Sequence, residues 1–164
     1  MLCDKMIRDG NRDFMGQFFQ FEQDFVESLR CIPMQVRLKL DTCGIKLKLT
    51  QWHKLSRQER QTLVELPCTT ESEIKTYREL LQRLVLERAG VPATDLPIDP
   101  NPVWTDTTTI PVITQAAVQE LGVTVTLDQW SKLTIEQRFA LIKLSRSNHE
   151  NENILPALKE FHII

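Results

Sequence analysis

Glycine is scarce in this chain. There are five in 164 residues, where average usage would give about eleven. Gly10, Gly16, Gly44, Gly90 and Gly122 all stand alone. Neither a dinucleotide fingerprint nor a phosphate-cradling loop can be built from them, because both need closely spaced glycines so that backbone can approach phosphate. Enzymes of those two kinds are excluded. The four cysteines, Cys3, Cys31, Cys43 and Cys68, form no Cys-x-x-Cys pair, and His53, His149 and His162 do not stand at metal-finger spacings from them. No metal site and no bound cofactor are expected. The N-terminus does not read as a secretory signal, so the thiols are expected to be free in a reducing cytosol. No apolar run approaches the roughly eighteen residues of a membrane span. Charge of one sign is also missing. Lys and Arg number 20 against 22 Asp and Glu, which leaves no surplus to neutralise a nucleic-acid backbone.

What is present is an internal repeat. Shifted by 78 positions, Cys31–Leu66 aligns without gaps to Thr109–Leu144, and 11 of 36 positions are identical. These include Pro33/Pro111, Gly44/Gly122, Trp52/Trp130, Arg60/Arg138 and Leu63/Leu141. A duplicated structural unit accounts for this, and the expected fold is all-α or mainly α. On its own, Val36-Arg37-Leu38-Lys39-Leu40 alternates like a strand. Its counterpart, Thr114 to Leu121, is made of helix formers, and both copies have proline at the start and glycine at the end. Helix is therefore expected in both. The short alternating stretches 45–49 and 123–127 are candidates for two strands paired with each other.

Thr50 and Asp128 stand at matching N-cap positions before a short helix. Ser56-x-x-Glu59 and Thr134-x-x-Gln137 are capping boxes, opening helices whose buried positions would be Leu63, Val64 and Leu66, or Phe139, Leu141, Ile142 and Leu144. Thr70-x-x-Glu73 opens the clearest helix, which runs to Arg88 and is stopped by Gly90 and Pro92, with Ile74, Tyr77, Leu81 and Leu84 inward. Phe21, Phe25, Leu29 and Ile32 make a similar stripe, and Ile154, Leu155, Leu158 and Phe161 suggest a last short helix. The expected organisation is one domain over 1–164. It has an unpatterned, disordered stretch at 1–12, repeat halves at 31–89 and 111–162, and a proline-rich connector at 90–110.

That connector holds the unrepeated Trp104, suited either to pinning the strap to the core or to anchoring a partner. Asp99, Asn101, Pro102 and Trp104, with the polar turn Asn148-His149-Glu150, are the candidate partner-binding residues. No catalytic set emerges. Nothing brings a cysteine to His53 or His149, and Cys43 lies at a helix C-terminus, where the dipole raises a thiol pKa. Arg60 and Arg138, repeated in both copies, are the residues that could hold the phosphate of a cofactor.

The stretches FQFEQDFVESLRCIPMQVRLKLDTCGIKL, DLPIDPNPVW and QRFALIKLSRSNHENENILPALKEF resemble the nitrate reductase-associated proteins of cyanobacteria, and the similarity covers Phe18 to Phe161. The resemblance implies a cytoplasmic accessory protein encoded alongside assimilatory nitrate reductase and needed for its activity, with that reductase as partner. It further implies a reductase that takes electrons from ferredoxin and carries a molybdenum cofactor and an iron–sulfur cluster. It offers no catalytic motif. The expected function is thus a non-catalytic accessory or maturation protein that binds the reductase and supports cofactor insertion, folding or donor coupling. The alternative is a molybdenum-cofactor carrier or modifying protein built around Arg60 and Arg138. No nucleic-acid or membrane partner is expected, and the oligomeric state stays open.

Overall fold

A computed structural model describes residues 18–26, 28–146 and 151–164. The architecture is mainly α, as expected. The chain divides between Ile98 and Asp99 into two compact units, a boundary inside the stretch read as a connector.

The first unit opens with a 3-10 turn (Gln20–Glu22) and the short α1 (Gln23–Val26). The aromatic stripe predicted a longer helix, through Ile32. Instead the chain turns at Leu29, which is buried and has a left-handed φ of 51°. Then come α2 (Met34–Cys43), β1 (Ile45–Lys46), α3 (Leu49–Lys54), α4 (Arg57–Glu65), α5 (Glu71–Ala89) and β2 (Thr94–Asp95). The core gathers Val36, Leu40, Trp52, Leu63, Val64, Tyr77, Leu81 and Val85, with Ile74 and Leu66 half-buried against it. The capping boxes form as predicted. Ser56 Oγ accepts from Glu59 N, and the Glu59 carboxylate accepts from Ser56 N. Glu73 Oε2 accepts from both Thr69 and Thr70, which pulls its pKa down to about 2.

The strand pairing is a correction. β1 pairs antiparallel with β2, Ile45 opposite Asp95 and Lys46 opposite Thr94, not with residues 123–127. The cause lies on α5. The Gln82 amide takes both backbone groups of Ala93, and Arg78 reaches the carbonyls of Cys43 and Gly44 and the carboxylate of Asp95. Together they lay the strap beside β1. Residues 123–126 are not in a strand, and Thr126, itself extended, is taken up as a helix cap.

The second unit holds a 3-10 turn (Val103–Thr105), α6 (Val112–Glu120), α7 (Leu127–Lys132), α8 (Ile135–Arg146) and α9 (Ile154–Glu160). Each of α6, α7 and α8 starts 78 residues after α2, α3 or α4. Gly44 and Gly122 end α2 and the turn after α6 with φ of 74° and 73°, the left-handed geometry that lets glycine stop a helix. α8 packs on α6, on the 3-10 turn and on α9. All five residues from Arg138 to Ile142 are buried, as a central helix requires. The N-caps differ from the sequence expectation. Lys48 and Thr126, not Thr50 and Asp128, precede α3 and α7, because Gln51 and Gln129 reach back to the backbone N–H two positions earlier than expected.

One core position is imperfect. Thr114 of α6 is fully buried, and among the described residues its hydroxyl has no hydrogen-bond partner. The counterpart in the first block is the buried Val36. Thr114→Val keeps the shape and removes a desolvated hydroxyl, so urea unfolding should show a gain of about 1 kcal/mol.

Candidate functional site

Two residues shared by both blocks do the same physical work in each unit. In the first, Trp52 Nε1 donates to Leu29 O at 2.8 Å, and Arg60 donates to the carbonyls of Leu29, Trp52 and His53. In the second, Trp130 Nε1 donates to Asp106 O at 3.0 Å, while Arg138 donates through Nε to Trp104 O at 2.7 Å and through Nη1 to Leu133 O. Each indole is fully buried. Each Trp/Arg pair thereby clasps the backbone of the segment that leads into its own block. Arg60 also stacks over the Trp52 ring, 5.8 Å from guanidinium carbon to centroid. Burial pushes the Arg138 pKa down from its ordinary value. The two guanidiniums proposed from sequence as phosphate ligands are thus both engaged with carbonyls inside their own unit.

The candidate partner residues of the connector are placed by that clasp. Pro102 caps the 3-10 turn, Asp99 Oδ1 accepts from Asn101 N at 2.9 Å, and Thr105 Oγ1 donates to Pro102 O at 2.7 Å. Asp99 and Asn101 are exposed, while Pro102 and Trp104 are half-buried. Trp104 and Phe139 meet in a T-shaped pair, with ring centroids 5.1 Å apart, so part of the indole is used in packing. Asp106 ends the segment in a turn. It accepts from the N–H and hydroxyl of Thr108, and these bonds hold its carboxyl below the usual range. Asn148, His149 and Glu150 lie outside the described residues.

Two of the thiols and the His53 imidazole have defined surroundings. Burial pushes Cys43 up to about 12 and Cys68 up to about 11, so both stay protonated and are poor nucleophiles at neutral pH. His53 is exposed, and its Nε2 sits 2.8 Å from the Arg30 carbonyl. Lys39 Nζ donates to Val64 O and Leu66 O at the end of α4 and lies 5.7 Å from the Tyr77 ring centroid. Desolvation lowers its pKa. Among the described residues, no three His, Cys, Asp or Glu side chains stand together as a metal-holding group, and no helix is long and apolar enough to cross a membrane.

Sequence reasoning missed one feature because it read charge only as a whole-chain total. From Arg30 to Lys54 there are six Lys or Arg and a single acid, Asp41, whereas residues 89–131 contain no Lys or Arg at all. A balanced net charge conceals two regions of opposite character.

Comparison with curated proteins and with solved structures returns no match to either. A sequence profile does match, over residues 18–161, that of the conserved nitrate reductase-associated proteins. The match takes in both blocks, both Trp/Arg clasps and the connector between them, so the chain belongs to the nitrate reductase-associated protein family.

Proposed function

We propose that this is a non-catalytic accessory protein of assimilatory nitrate reductase, of the cyanobacterial type, which acts in the cytoplasm. It binds the reductase and supports its folding, cofactor loading or coupling to the electron donor. Family membership over residues 18–161 carries the reading. The local chemistry supports it. The Cys43 and Cys68 thiols are held protonated, and Arg60, Arg138 and Lys39 are spent on backbone carbonyls. These five groups therefore serve the scaffold, which leaves recognition to the surface.

The test is a reconstituted host that expresses the reductase with and without this chain, assayed for nitrate reduction, molybdenum content and co-purification. The expected result is lower activity without the chain and its recovery with apo or mature reductase. Full molybdenum with low activity would place its action at electron delivery, and missing molybdenum at cofactor insertion. Equal activity together with no association to either form of the enzyme overturns the reading.

A further inference from the structure

The positive region of the first unit is laid out on one short stretch of surface. Lys46 and Lys48 are exposed on either side of the half-buried Leu47, so both face outward from the extended lead into α3. Leu49, the first residue of α3, is 47% exposed, and His53 and Lys54 follow one turn later on the open side of the helix. Gln51 and Trp52 take the inner side. The chain before α2 is drawn to the same place, because the His53 ring lies against the Arg30 carbonyl and Trp52 bonds the carbonyl of Leu29. Arg30, Lys46, Lys48 and Lys54 make no ion pair among the described residues.

The second block tells whether the scaffold needs these charges. At the 78-residue offset, Arg30, Lys46, Lys48 and His53 correspond to Thr108, Thr124, Thr126 and Ser131. Lys54 corresponds to Lys132, but there Asp128 holds the ammonium at 2.7 Å, while the first block has Thr50 at that position. The same helices, cap and Trp/Arg clasp thus form with none of the uncompensated charge. Lys48 even works against its own helix. Thr126 Oγ1 accepts from Gln129 N at 3.1 Å, whereas an N-cap lysine has no acceptor to offer and sets a cation at the positive end of the helix.

We propose that this face, Leu49 ringed by Arg30, Lys46, Lys48, His53 and Lys54, docks an acidic protein surface. The inference rests on the reading above, which places that surface on nitrate reductase. An apolar centre inside a charged rim is the build of a protein interface. Single-stranded nucleic acid would call for exposed aromatic platforms among the cations, and this face contains no Phe, Tyr or Trp.

The test measures binding of the full chain to purified nitrate reductase at low and high salt, with an unfolding midpoint for every variant. Lys46→Glu with Lys54→Glu should weaken binding by about tenfold or more, chiefly through the association rate, and wild-type binding should weaken as salt rises. Lys132→Glu, in the second block, should leave binding within about twofold, as expected for a charge outside the interface. Lys48→Thr should weaken binding and yet raise the unfolding midpoint, a combination that a purely structural lysine cannot produce. If wild type binds and the double variant binds equally well, this face is not the docking surface, although the accessory reading stands. If wild type binds neither apo nor mature reductase, the docking proposal fails, and the accessory reading fails with it when nitrate reduction is also equal with and without the chain. Tighter binding to duplex DNA, or to phosphatidylserine-containing vesicles, than to the reductase assigns the face to a polyanion and overturns the proposal.

Discussion

Gly44→Ala should destabilise the protein by about 3 kcal/mol or more, against about 1 kcal/mol for Gly122→Ala. Both glycines have a left-handed φ, which an L side chain adopts only at a cost. Their surroundings differ. A Cβ on Gly122 meets nothing within 4 Å, whereas one on Gly44 would stand 2.7 Å from Leu96 O and 2.7 Å from Ile98 Cγ1. Leu96 cannot simply retreat, because its N–H donates to Gly44 O at 2.8 Å and the strap before it is fixed by Gln82 and Arg78. The added methyl must therefore pull β2 off β1. Urea midpoints of the two variants measured side by side provide the check. Equal losses would mean that conformation alone matters and that the close approach of the strap contributes nothing.

Arg138→Leu should cost about 3 kcal/mol, more than Arg60→Leu. Arg138 is only 4% exposed and donates to Trp104 O and Leu133 O. Leucine fills part of the volume but leaves two carbonyls without their charge-assisted donors, in a place where water has little access. Arg60 is half-buried, so solvent can take over some of its bonds. Hydrogen exchange adds a local signature. Amides around Val103–Thr108 should exchange faster in Arg138→Leu, since the guanidinium and Trp130 are what hold that segment down. Unchanged protection there would show that the packing of Trp104 on Phe139 is enough by itself.

Much of this fold was legible in the sequence because the repeat let one copy interpret the other. Val36 to Leu40 reads as a strand in isolation, and only the helix-forming counterpart at Thr114 to Leu121 resolves it. The boxes at Ser56, Thr70 and Thr134 were readable because a cap is a local event between residues three apart. Errors arose where distant groups decide. The strand partner of Ile45 depends on Gln82 and Arg78 gripping residues 93–95, contacts 11 and 17 positions apart that leave no periodic mark. The end of α1 depends on Leu29 turning so that its carbonyl can meet Trp52 and Arg60. The position of the α3 cap followed the glutamine three residues on, not the oxygen-bearing side chain that looked most suitable. For the candidate site, the repeated arginines were visible as a pair, but their task was hidden, since backbone carbonyls carry no sequence signal. The basic face was hidden in another way: its members are ordinary lysines, informative only against the threonines that replace them in the second block.

The Trp/Arg clasp has a consequence for how the chain can vary. What each pair grips is peptide carbonyl, a group every residue supplies, so the grip itself places no demand on the gripped side chain; packing alone does, of Leu29 in the core and of Trp104 on Phe139. Trp52 takes the carbonyl of an apolar leucine 23 residues back, and Trp130 takes that of an aspartate 24 residues back. Two unrelated lead-in segments are thus held by the same pair of residues. The exposed positions of those segments can differ, and with them the surface each block shows to the outside, while the clasp beneath stays closed.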